Sequence, residues 1–91
     1  MLQTVRLIVK GKVQGVFYRQ STKEKANAFG INGTVKNLAD GNVEILATGN
    51  AEQLQQFTQW CNQGPPRAVV TEIVSTPLPL QPFTNFIIIR S

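Results

Sequence analysis

Thr4-Val5-Arg6-Leu7-Ile8-Val9-Lys10-Gly11-Lys12-Val13-Gln14-Gly15-Val16-Phe17-Tyr18-Arg19 is the stretch from which the fold can be read. Its first half alternates, with Val5, Leu7 and Val9 on one side and Arg6 and Lys10 on the other, the period of a half-buried strand. From Arg19 to Phe29 the pattern becomes helical, so Gly11 to Tyr18 forms a glycine-containing loop feeding a helix N-terminus. Such a junction suits an anion. The first amides of a helix lack intrahelical acceptors, the helix dipole places partial positive charge there, and successive loop N–H groups can converge on oxygens. A cation in the first helical turn opposes that dipole, at a cost on the order of a few tenths of a kcal/mol, and Arg19 therefore points to an anionic ligand beside it. The amides of Gln14, Gly15, Val16, Phe17 and Tyr18 are the candidate donors, and the rings of Phe17 and Tyr18 are expected to anchor the loop in the core. Gly15 has two readings: a plain turn glycine, or a position where no Cβ stands between an amide and a bound phosphate.

Working outward, the first helix carries Thr22, Ala26 and Phe29 as a narrow inward stripe with Lys23, Glu24 and Lys25 toward water, and Gly30 stops it. Gly33 to Ala39 reads as a second strand and Asn42 to Thr48 as a third, joined by Asp40-Gly41, a tight-hairpin signal. Asn50 with Gln53 three residues on has the form of a capping box, opening a second helix whose buried face is Leu54, Phe57 and Cys61, with Trp60 at its edge. Gly64-Pro65-Pro66 ends that helix. Val69 to Ser75 is a fourth strand, Pro77 and Pro79 interrupt the chain, and Phe83 to Arg90 is a last strand whose Ile87-Ile88-Ile89 run suggests burial on both faces. The order βαββαβ plus a terminal strand is that of an α+β, ferredoxin-like sandwich: an antiparallel sheet with both helices on one face and a short C-terminal strand.

Ninety-one residues, 42% hydrophobic and 15% charged, fit one domain spanning 1–91 with a single core. One cysteine excludes an internal disulfide, and the absence of His removes the usual zinc ligand sets. No apolar run is long enough to span a bilayer, and the N-terminus lacks the form of a leader peptide, so a cytoplasmic location is expected. Nine Lys and Arg against five Asp and Glu favour anionic partners, and Lys10, Lys12 and Arg19 flank the loop.

Gly11-Lys12-Val13-Gln14-Gly15-Val16-Phe17-Tyr18-Arg19 resembles the signature of the acylphosphatases, Gly-x-Val-Gln-Gly-Val-x-Phe/Tyr-Arg. Gly33-Thr34-Val35-Lys36-Asn37-Leu38-Ala39-Asp40-Gly41 resembles that family's second signature, Gly-x-Val-x-Asn-x-x-Asp-Gly. The similarity continues through Val43-Glu44-Ile45 and Gly64-Pro65-Pro66, and so covers nearly the whole chain. Thr34 stands where the family often has Trp, and Leu38 where some members have Thr; neither position supplies the phosphate cradle. The resemblance implies the same fold and hydrolysis of acyl phosphates without cofactor or metal, with Arg19 holding the substrate phosphate and Asn37 the attacking water. It also implies inorganic phosphate as product and inhibitor, a monomer, and no nucleic-acid or membrane partner.

The residues themselves leave Asn37 with two roles. Asn is disfavoured inside a strand and needs partners, which could equally be a loop it pins or a ligand it orients. Cys61 fits a helix interior better than a nucleophile's place, and Glu24, Asp40, Glu44, Glu52 and Glu72 offer no acid/base pair. That inventory permits one kind of phosphate chemistry. A carboxylate leaves without protonation, so an acyl phosphate needs charge stabilisation and an in-line water more than a general acid. Two other readings compete. A small nucleic-acid-binding domain would share the sheet and the positive charge, although Phe17-Tyr18 are adjacent where such modules alternate their aromatic residues along a strand. A non-catalytic regulatory module of the same fold is the third.

Overall fold

A computed structural model describes residues 1–90; Ser91, the last residue of the expected domain, lies outside the described residues. The elements run β1 (Gln3–Lys12), α1 (Tyr18–Phe29), β2 (Asn32–Asn37), β3 (Val43–Gly49), α2 (Ala51–Gln63), β4 (Val69–Leu78) and β5 (Phe86–Ile89). The strands form one sheet in the order β4-β1-β3-β2-β5. Its pairings are antiparallel except the last, β2 with β5, which is parallel.

Residues directly opposite one another in a ladder share a face, so register assigns the two sides of the sheet. Leu7 pairs with Ile45 and Ile45 with Val35; Val9 pairs with Val43. All of these are fully buried and pack with Phe57 and Cys61 of α2 and Ala26 of α1, which places both helices over this face. The opposite face carries Arg6, Glu44 and Lys36. There the Glu44 carboxylate accepts from Arg6 Nε at 2.8 Å and lies 3.7 Å from Lys36 Nζ.

Local chemistry sets the helix ends as expected. Asn50 Oδ1 accepts from the Gln53 amide at 2.8 Å and Gln53 Oε1 from the Asn50 amide at 2.9 Å, a complete capping box. Gly30, in the left-handed region, closes α1. The β2–β3 turn runs from Leu38 to Asn42, tied by the Leu38 amide donating to Asn42 O at 2.8 Å and the Gly41 amide to Leu38 O at 3.2 Å, with the positive φ of +94° falling on Gly41.

Three sequence expectations need correction. The second strand ends at Asn37, so Asn37 is its last residue and Leu38 and Ala39 belong to the turn. The fourth strand runs on through Pro77, which is tolerated because β4 is an edge strand and its outer side needs no donor. The last strand is shorter than Phe83 to Arg90, and its isoleucines are not buried on both faces. β5 is the other edge, and Ile87 and Ile89, on the helix-free side, are 43% and 37% exposed while Ile88 packs on the core. The expected ferredoxin-like sandwich is the fold observed, its sheet mostly antiparallel, with only β5 running parallel to its neighbour β2.

Candidate phosphate-binding site

The loop from Val13 to Phe17 leaves β1 at one end of the sheet and enters α1 through an unusual backbone. Gly15 has φ +74° and Phe17 φ +64°, and Phe17 is the one non-glycine residue with positive φ among the described residues. Val16 between them keeps negative φ. Alternation of φ sign along successive residues is the backbone pattern found in anion-binding nests. A Cβ on Gly15 would meet no atom within 4 Å, so it is conformation and not space that favours glycine there.

No side chain caps α1, no acidic residue occupies its first turn, and the first turn bond runs from the Ser21 amide to Phe17 O at 3.0 Å. The amides from Gly15 to Gln20 therefore have no acceptor among the described residues. Holding Phe17 in the left-handed region costs on the order of 1–2 kcal/mol and aims its ring outward, 72% exposed. The expectation that Phe17 anchors the loop in the core is thus overturned. Tyr18 does anchor it: its buried hydroxyl donates to Cys61 O at 2.7 Å and its ring lies 5.9 Å from that of Trp60, binding the start of α1 to α2. Burial, reinforced by the neighbouring Cys61, raises the Tyr18 pKa, and burial pushes the Cys61 thiol up to about 12. Neither group is suited to act as a nucleophile.

Beside the loop is a cavity of about 480 Å³ lined by Gly15, Phe17, Tyr18, Arg19 and Asn37, together with Val13, Gln20 and Arg90. Of the seven residues expected at the site, five meet there; Val16 is buried in the core, and Gln14 turns its side chain elsewhere. Gln14 Nε2 donates to Leu38 O at 2.8 Å and to Asn42 O at 2.9 Å, joining the loop to the turn that follows Asn37. Asn37 Oδ1 is buried and has no hydrogen-bond partner among the described residues. Arg19 and Arg90 are paired with no carboxylate among them, and no acidic residue lines the cavity. Arg90 was not foreseen. It comes beside Asn37 because Lys36 pairs with Ile89 in the parallel ladder and the next residue of each strand follows in step. Nothing in the local sequence of Arg90 signals that neighbour.

No three His, Cys, Asp or Glu side chains converge on a metal-sized site among the described residues, and no helix there is long and apolar enough to cross a membrane.

Comparison with known proteins shows the family and the fold. The acylphosphatase family model matches residues 5–88. A protein from Marinobacter nauticus named acylphosphatase is 53% identical over 81 residues, covering 88% of each chain. The crystal structure of acylphosphatase from Bacillus subtilis superposes with a TM-score of 0.94 at 40% identity, over 99% of this chain and 100% of that one. A Coxiella burnetii acylphosphatase structure gives 0.92 at 34% identity, over 96% and 92%.

Proposed function

The chain belongs to the acylphosphatase family, and from that premise we propose that it hydrolyses the carboxyl-phosphate bond of small acyl phosphates, using Arg19 and the loop amides to hold the phosphoryl group and Asn37 to hold the attacking water. The observation that carries this reading is Asn37 Oδ1, a buried acceptor with no partner among the described residues, in the wall of a cavity that also holds Arg19 and the Gly15 loop. A buried amide oxygen left unpaired is costly, on the order of 1–3 kcal/mol, and a ligand that donates to it recovers that cost.

In the proposed reaction the phosphoryl oxygens sit against the free amides of Gly15 to Gln20, whose partial charges and the Arg19 guanidinium meet the negative charge of a loose transition state. Water donates one hydrogen bond to Asn37 Oδ1, which aims its lone pair along the line opposite the leaving oxygen. The new P–O bond forms as the P–O bond to the acyl group breaks, and the electron pair departs on a carboxylate that needs no proton. Asn37 is a neutral amide and a poor base, so the water's proton passes to a phosphoryl oxygen of the substrate. Products are a carboxylate and inorganic phosphate, and phosphate competes for the same cradle. The 91-residue unit works as a cytoplasmic monomer with no cofactor and no nucleic-acid partner.

The test is release of phosphate from benzoyl phosphate in the presence of EDTA. Turnover that survives chelation is the expected outcome. Turnover abolished by EDTA and restored by magnesium, or binding of single-stranded RNA in place of any hydrolysis, refutes the reading.

A further inference from the structure

We infer that Gln14 is a positioning residue: resting on the hydrolytic reading above, its side-chain amide fixes the water-holding Asn37 against the phosphate cradle. Gln14 and Gly15 are adjacent in the cradle, as Asn37 and Leu38 are in the hairpin, and nothing but the Gln14 side chain is hydrogen-bonded between the two segments among the described residues. Both N–H groups of the amide are used, one on Leu38 O at 2.8 Å and one on Asn42 O at 2.9 Å. Those two carbonyls are the ones that close the turn, Leu38 O also accepting from the Gly41 amide and Asn42 O from the Leu38 amide. Each oxygen thus takes two donors, the number its lone pairs allow.

The clamp falls where support is otherwise thin. Asn37 is the last residue of β2; its ladder to β3 ends at Val43, and on the other side the ladder to β5 ends one residue earlier, at Lys36. Past that point the strand end is held in place by the turn, and the turn by Gln14. In-line attack depends on the distance between water and phosphorus, and a shift of about 1 Å in such a group costs about 10²-fold in rate. A two-donor amide is the side chain this task requires. A carboxylate of the same shape would set oxygen against two carbonyl oxygens, and a thioether would leave both short of a donor.

The experiment is a double-mutant cycle on benzoyl phosphate hydrolysis, with Gln14→Met and Asn37→Ala, alone and together, and inorganic phosphate inhibition measured for each. Gln14→Met is expected to lower kcat about tenfold in the wild-type background and less than about twofold in Asn37→Ala, because an amide that acts through Asn37 has nothing left to position. The phosphate inhibition constant is expected to move less than about threefold, since the cradle amides belong to the backbone. Gln14→Asn keeps two donors but falls one methylene short, and the same coupling is expected of it, so the inference stays testable if Gln14→Met does not fold. Equal losses of kcat in both backgrounds, or a rise in the phosphate inhibition constant matching the loss of kcat, overturns the inference by making Gln14 a general support or a cradle residue. If the wild type releases no phosphate, or Asn37→Ala is as fast as wild type, the functional reading itself falls and this inference with it.

Discussion

Replacing Asn37 by Ala should separate activity from stability, and the structure says why. Asn37 Oδ1 is buried but accepts from no described residue, and no hydrogen bond within the described chain involves this side chain. Its deletion therefore breaks no protein hydrogen bond and removes a polar atom that was costly to bury. What is lost is packing beside Val35 and Val43, so stability should change by less than about 1 kcal/mol, a melting shift below about 8 °C for a chain of this size. Activity should behave otherwise. In the proposed reaction the side chain contacts only the attacking water, so its contribution belongs to the transition state, and kcat should fall about 10²-fold or more, equivalent to about 2.7 kcal/mol, while inorganic phosphate still inhibits near wild-type strength. The assays are benzoyl phosphate hydrolysis followed by ultraviolet absorbance, phosphate inhibition on the same instrument, and thermal melts by far-UV circular dichroism. A folded Asn37→Ala with the wild-type rate would end the assignment of the water to this residue. A variant that loses several kcal/mol together with phosphate inhibition would make Asn37 a structural pin.

Arg19→Gln should behave differently from Asn37→Ala, raising the phosphate inhibition constant and lowering kcat together, because in the proposed reaction Arg19 meets charge already present on the bound substrate; Lys23→Ala serves as the control for loss of one positive charge and should change neither by more than about twofold. Gly15→Ala should weaken phosphate inhibition while costing no more than about 1–2 kcal/mol in a melt, since the added methyl meets no neighbour and only the φ of +74° resists it; unchanged inhibition would reduce Gly15 to an ordinary turn residue. Alkali should destabilise the fold through Cys61 and Tyr18, both protonated when buried: the unfolded thiol ionises near its ordinary 9.0 and the folded one near about 12, while burial raises the phenol above its ordinary 10.0, so the thiol's contribution is full below about pH 9 and the phenol's below about pH 10, each then lost by about 1.4 kcal/mol per pH unit as pH rises. Melting temperature followed from pH 8 to 11 should drop less steeply in Tyr18→Phe, and identical slopes would contradict the linkage.

What could be read from the sequence was what neighbours in the chain decide. Asn50 and Gln53 form their cap within one turn, Gly30 stops α1, and Leu54, Phe57 and Cys61 face inward, because each depends on residues three or four apart. The succession of β1, loop and α1 was legible for the same reason, since the three follow one another directly. What failed depended on partners far along the chain. Phe17 is the exception, a local one: it looked like a core aromatic, but its position at the N-cap in the left-handed region turns it outward. Ile87-Ile88-Ile89 looked doubly buried, but β5 occupies a sheet edge beside β2, and edge position is a property of topology. Arg90 and the second task of Gln14 were hidden likewise: one depends on the parallel register of β5 on β2, the other on a turn 24 residues away.

The position of β1 has a consequence for biosynthesis. This strand is the first to be made, yet it lies inside the sheet between β3 and β4. Its second neighbour follows roughly 65 residues later, at Val69–Leu78, a wait of about 3–13 s at a translation rate of about 5–20 residues per second. During that wait the apolar side of Leu7 and Val9 has no finished sheet to join. The nascent chain must be kept from sticking to others until β4 has left the ribosome, and the sheet then closes through contacts distant in sequence, which is the slow way for a small domain to fold.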